Sequence, residues 1–410
     1  MNQASAPAGH DAAAAHAIES HAVRPAGKKK RRAPAWTHGV GYLGVRAALT
    51  LPLAAGPRVS LSAARDIGRA FAGSKANRKR LRRAATAIGF VHPEWDGDRC
   101  TDYALRSYEH LFQLAVEVAH TPRLITPDAW VRHVEIDNIT EAMRALQSDG
   151  PMVLITGHCG NWELVGYTLS MIGFPMHALY RPLDSAPLDR WLRRTRARRG
   201  LTLVDKFGAA EQLPQVIDAG DTVGFVADQN AGDRGLFVPF MGRLASTYKT
   251  IALLAIRARA TVVCGWARRL NTGEYDAPVS GGFTAGVGSD SGVGSGSGKI
   301  DRGFRYRIEI PDVIRPEDWE SQPDPLFYLT ARYRRAIESM VRSAPDQYLW
   351  MHRIWKSRPR HERAGKPFPP GLRDKLAALP WLTQADVDAI VDRSDRDTAL
   401  LAELGVDRLP

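Results

Sequence analysis

The stretch that most limits what this chain can fold into is PMVLITGHCGNWE, Pro151–Glu163. Met152–Thr156 is an unbroken apolar and β-branched run between Pro151 and Gly157, the pattern of a strand covered on both faces in an α/β domain. The chain then turns through Gly157–Gly160, and Asn161 is a cap residue for a helix reaching about Met171. His158 is thereby placed at the carboxyl end of a strand and Glu163 in the first turn of the next helix. In open α/β sheets that edge is where ligands bind.

The pair has a chemical logic. A neutral imidazole takes a proton from a hydroxyl near pH 7, and a nearby carboxylate fixes its tautomer and stabilises the imidazolium that forms. The spacing therefore predicts His158 as general base and Glu163 as its orienting acid. Glycines on either side let substrate approach the backbone, and N–H groups at the helix start are expected to face a developing oxyanion. The turn holds no serine nucleophile, which favours direct attack by an acceptor hydroxyl over an acyl-enzyme. Cys159 beside the base reads as a bystander, because sequence neighbours on a tight turn seldom present both side chains to one substrate. With twelve histidines in the chain, roughly one His-x4-acid pair arises by chance, so position rather than spacing carries the reading.

Beyond Glu163 the chain repeats the strand–helix rhythm. Met176–Tyr180, Leu201–Val204, Asp221–Ala227, Thr261–Ala267 and Phe304–Ile310 read as strands, and Pro187–Arg199, Ala209–Ala219, Thr247–Ala258 and Pro325–Arg342 as helices. This alternation predicts an α/β fold with a mostly parallel central sheet flanked by helices. The helix at 187–199 carries six arginines, among them Arg194 and Arg199, a density suited to bidentate phosphate recognition. Asp228–Gln229 falls at another carboxyl edge, where the residues alone give Asp228 the role of a cap or turn former.

The chain divides into a disordered basic tail (1–35), apolar membrane-associating helices (36–75), a catalytic domain (76–362) with a flexible Gly/Ser insert (281–298), and a helical carboxyl-terminal extension (363–410) with helices expected at Leu372–Ala378 and Gln384–Val391. In the second of these, Pro52–Pro57 interrupts the apolar run, so two short helices are expected to lie in the membrane interface. No stretch reaches the roughly 18 apolar residues of a spanning helix, and no secretory signal is legible. A net charge of +12 points to acidic partners. Nucleic acid is disfavoured as one, because basic and aromatic residues do not alternate and no helix-turn-helix pattern is present. Cys100, Cys159 and Cys264 lack CxxC spacing and read as reduced thiols, with neither disulfide framework nor metal site.

GHCGNWE, followed in order by YRP (Tyr180–Pro182), DQ (Asp228–Gln229), FVPFMG (Phe237–Gly242) and QYLWMHRIWKSRP (Gln347–Pro359), resembles the lysophospholipid acyltransferase-like superfamily. Within it the chain is most similar to the lipid A biosynthesis (late) acyltransferases, over roughly residues 40 to 360. The resemblance implies a lauroyl- or myristoyl-type acyltransferase at the cytoplasmic face of the bacterial inner membrane, peripheral or monotopic. Its donor would be an acyl thioester on acyl carrier protein or CoA, a co-substrate rather than a cofactor, and its acceptor a glycolipid hydroxyl. It implies catalytic roles for His158 and Glu163, and substrate contacts from Asn161, Arg181, Arg194, Arg199, Asp228, Gln229 and Arg353, with Asp228 also structural in the site. Family members usually carry a second basic residue where Ile354 stands. Two other readings remain open: an acyltransferase for phosphatidylinositol mannoside or another glycolipid, and a noncatalytic anionic-lipid-binding protein on the same fold.

Overall fold

The computed structural model describes residues 44, 50–270 and 303–409, apart from 138, 148, 149, 175, 181, 183, 184, 198, 199, 206 and 207. The basic tail, most of 36–49 and the Gly/Ser insert lie outside these residues, as do Arg181 and Arg199.

After helical residues 50–55 come α1 (Pro57–Gly73), α2 (Arg78–Val91) and the long α3 (Gly97–Leu124). They are followed by β1 (Val134–Ile136), α4 (Ile139–Leu146), β2 (Met152–Thr156), α5 (Trp162–Met171), β3 (Met176–Tyr180), α6 (Ala186–Ala197), β4 (Leu201–Asp205), α7 (Ala209–Asp218) and β5 (Thr222–Val226). A hairpin, β6 (Leu236–Phe240) and β7 (Arg243–Thr247), precedes α8 (Lys249–Ala258), β8 (Thr261–Arg269) and β9 (Tyr306–Ile314). The chain closes with α9 (Pro316–Glu320), α10 (Pro325–Ser343), α11 (Arg360–Arg363), α12 (Pro370–Ala377) and α13 (Gln384–Leu404).

Seven strands form one sheet in the order β1-β9-β8-β2-β5-β3-β4, parallel throughout except where β8 meets β9. The predicted α/β fold with a mostly parallel sheet is therefore what the chain adopts. β2 is central and buried along its whole length, which is why its sequence is apolar at every position rather than at alternate ones. Its odd residues, Val153 and Ile155, join a core that also takes in α7, α8 and α10. Its even residues, Met152 and Leu154, face a second core under α3 and α5. This division follows from the two-residue period of a strand.

Two features differ from the sequence reading. Arg243–Thr247 is a strand, not loop and helix start, because it closes a hairpin with Leu236–Phe240 and is buried throughout. The last helix runs to Leu404, well past Val391, since Leu401 packs inward. At the amino-terminal side, helical residues 50–55 are separated from α1 by Gly56, whose φ of 80° breaks the helix. Among the described residues no helix is long and apolar enough to cross a membrane.

Candidate active site

The turn after β2 is held from several directions. Gly160 has φ 55°, and a Cβ there would lie 2.2 Å from the carbonyl oxygen of Ala267, so only glycine lets the backbone pass this close to β8. The Gly160 amide donates to the carbonyl of Gln347 at 2.9 Å, and that of Asn161 to Ala267 at 2.7 Å. Asn161 Oδ1 caps α5 by accepting from Leu164 N at 3.0 Å, while its amide nitrogen donates to Glu117 Oε2 at 2.9 Å. Glu117, fully buried on α3, also pairs with Arg269, 2.5 Å away at the end of β8. Arg269 in turn donates to Gln113 at 3.0 Å and is tied through its backbone to the side chain of Gln347. A buried ion pair satisfied on all sides in this way fixes geometry more than it adds stability.

On this frame His158 meets Asp228. Its Nδ1 lies 2.6 Å from Asp228 Oδ1, and its backbone N donates to the same oxygen at 3.0 Å. Asp228 is fully buried; its second oxygen accepts from the Tyr348 hydroxyl at 3.1 Å. Burial by itself would push the Asp228 carboxyl up, but the facing imidazole, its hydrogen bond and the buried Arg334 hold it well below the usual carboxylate range. For His158, burial disfavours the charged ring. The charge of Asp228, the hydrogen bond to it and the more distant charge of Glu163 outweigh that and raise its pKa. With Nδ1–H committed to Asp228, the Nε2 lone pair is left to accept a proton. The Gln229 amide nitrogen lies 3.4 Å from this Nε2 and 3.5 Å from Nε2 of His352, whose ring centroid is 4.8 Å from that of His158.

Glu163 does not orient the imidazole. Its carboxylate is clamped by Arg196 of α6, through Nε at 2.7 Å and through Nη2. Trp162, one position earlier on α5, takes the place beside His158, ring edge against ring at 4.9 Å; the next residue is carried round the helix toward α6. Asn161, expected at the substrate, is buried with both ends of its amide engaged and presents nothing to a ligand. The turn amides of His158, Gly160 and Asn161 all donate within the protein and are not open to an oxyanion. Cys159 points into the core with Sγ 3.9 Å from Met340 Sδ, and burial followed by the charge of Asp228 keeps its thiol protonated well above the usual range.

Below His158 opens a cavity of about 680 Å³ between the sheet and helices α5 and α6. Its walls combine Leu154, Val165, Leu192 and Leu203 with polar groups, among them Thr156, Glu163, Arg196 and Gln229. Arg194 is exposed on the outer side of α6. Arg353 is exposed as well, and its Nη2 donates to the carbonyl of Leu409 at 3.0 Å. Arg196 is a cavity residue that the sequence reading did not single out, and Asp228 is a contact it assigned differently.

Together these features define a class: α/β proteins in which a carboxylate-backed imidazole stands at the carboxyl edge of a mostly parallel sheet, over a cavity between sheet and helices. Residues 25–283 match the bacterial lipid A biosynthesis acyltransferase family, and the chain belongs to it. It is 25% identical over 237 residues to the lipid A biosynthesis palmitoleoyltransferase of Escherichia coli (strain K12). It is equally similar to the lipid A biosynthesis acyltransferase of Shigella flexneri. Each alignment covers 57% of this chain and 65% of the relative's own length. Arg334, Tyr348 and His352 lie beyond the family match, on the carboxyl-terminal side of the site.

Proposed function

We propose that this protein is a membrane-associated O-acyltransferase that moves a fatty acyl chain from a thioester, on acyl carrier protein or CoA, to a hydroxyl of a lipid A precursor. The observation that carries the reading is the His158–Asp228 contact of 2.6 Å at the mouth of a cavity with leucines and valines among its walls. A base, a carboxylate to back it and a slot for a hydrocarbon tail are what direct transfer between a thioester and an alcohol requires.

In this mechanism His158 Nε2 removes the proton of the acceptor hydroxyl while Asp228 stabilises the imidazolium. The oxygen attacks the thioester carbonyl, and the Gln229 amide, beside Nε2, donates to the oxyanion. Collapse breaks the carbon–sulfur bond, and the departing thiolate takes the proton back from His158, leaving an ester and a free thiol. His352 stays neutral beside it, because burial and the charge of His158 lower its pKa. The arginines of α6 suit the phosphate groups of a phosphorylated sugar lipid.

The amino-terminal helices favour peripheral or monotopic attachment. Leu51, Val59 and Ile67 are large apolar side chains left exposed; the last two lie on the outer face of α1, and α2 alongside exposes Arg78, Lys79, Arg80 and Arg82. An apolar stripe with adjoining cations suits a membrane with anionic lipids. The test is transfer of a radiolabelled acyl group from carrier or CoA thioester to a lipid A precursor by the purified chain. The expected result is a product whose mass rises by one acyl chain, formed by the wild type and not by His158→Ala. No transfer from either donor, or equal transfer by the variant, would refute the reading.

A further inference from the structure

The cavity under His158 reaches Met176. This residue opens β3 and pairs with Leu201 on one side and Thr222 on the other, at the end of the strands away from the active site. Thr156 and Val226, paired across β2 and β5, stand at the His158 end. Four residue steps of strand separate the two rows, about 13 Å at ~3.3 Å per step. Halfway along, Gly224 pairs with Leu154 and with Ala178, so the sheet floor is low along the line of the cavity.

The methyl group of Met176 stands between two glycines. A Cβ on Gly224 would lie 3.1 Å from Met176 Cε, and one on Gly166 of α5 would lie 3.8 Å from it and 3.6 Å from Leu201 Cδ1. One thioether thus occupies the space that two absent side chains leave between helix and sheet. Glycine weakens the interior of either element, and two of them facing one cavity keep that layer open. Methionine is unbranched and rotates about three bonds, so it closes such a space adjustably.

We propose that Met176, seated between Gly166 and Gly224, is the floor of the acyl channel and sets the longest chain the protein accepts. This inference rests on the acyl-transfer reading. A chain entering past His158 runs along the Gly224–Ala178 trough and stops against Met176. Shortening Met176 deepens the channel, and adding bulk at Gly166 shortens it.

The test is displacement of a fluorescent fatty acid from the full chain by a series of even-numbered saturated fatty acids, alongside the chain-length profile of acyl transfer. Met176→Ala is expected to move the best-bound length up by one or two two-carbon steps, and Met176→Leu to leave it in place. Gly166→Val is expected to move it down, with at least tenfold weaker binding of the longest chains. Unchanged profiles in well-folded Met176→Ala and Gly166→Val, or a wild type that binds no fatty acid of any length, would overturn the proposal. Should Met176→Ala fail to fold, Gly166→Val alone decides. If binding profiles shift while no thioester supports transfer, the acyl-transfer reading fails and the channel floor stands. If transfer depends on His158 but neither profile moves, the floor fails alone.

Discussion

His158 and Asp228 each stand two residues past a paired position of adjacent parallel strands, Thr156 of β2 and Val226 of β5, and this shared register brings their side chains within 2.6 Å. Neither needs a long reach across the site. The sheet delivers both at its carboxyl edge, and the Tyr348 hydroxyl completes the shell of Asp228 from the segment after α10.

The pH dependence of transfer follows from this contact. The base form of His158 is the active one, and the charge of Asp228 raises its pKa above the 6.5 of an unperturbed imidazole. A raised pKa keeps the ring protonated to higher pH, so kcat/KM should climb with pH through an apparent pKa above that value. An acidic limb centred below it would contradict the assignment.

The frame behind the turn should be costly to break. Glu117→Gln leaves the buried Arg269 without its counter-charge, and removing one partner of such a pair costs about 3–5 kcal/mol. Chemical denaturation should show a loss of that order, together with reduced activity because Asn161 loses its anchor. A stability within about 0.5 kcal/mol of wild type, the range of surface substitutions, would show that the network does not hold the turn.

The carboxyl-terminal extension should matter to the site, and its Leu409 carbonyl already accepts from Arg353, an expected substrate contact. Asp397 of α13 is buried and accepts from Arg243 at 2.6 and 2.7 Å and from Arg358 at 2.8 Å. Arg358 belongs to the segment that carries His352, and its other contacts are to Glu362 and the carbonyl of Leu244. Asp397→Ala leaves two buried guanidinium groups short of an acceptor. We expect a fall in melting temperature of several degrees and partial loss of transfer; no change in either would leave the extension without this role.

Much of this was legible in the residues and some was not. The strands at 152–156 and 176–180 and the cap at Asn161 follow from apolar runs, glycines and a side chain that must bond the helix start. Strand order does not follow from local pattern, and only the neighbouring of β2 and β5 tells that Asp228, seventy residues on, is the partner of His158. Glu163 had the right spacing and the wrong direction, because Trp162 fills the position beside the ring. Arg196 stood among six arginines with nothing local to distinguish it. The hairpin at 236–247 was hidden by Pro239 and by a long-range pairing that gives Arg243 a buried acid on α13.

Attachment through α1 has its own test. Val59 and Ile67 are exposed, so Val59→Glu with Ile67→Glu should leave the melting temperature nearly unchanged. Sedimentation with vesicles containing anionic lipid should fall by tenfold or more. Undiminished sedimentation would place the membrane contact elsewhere.

The most direct measurement compares acyl transfer by Asp228→Asn and Glu163→Gln, each across pH. Asp228→Asn removes the group that holds the ring in its basic tautomer, so kcat should drop about a hundred- to ten-thousandfold, the span of general-base assistance, and the acidic limb should move to lower pH. Glu163→Gln should move that limb down only slightly and keep the larger share of kcat. The reverse order, with Glu163→Gln the more damaged in kcat and Asp228→Asn close to wild type, would contradict the account.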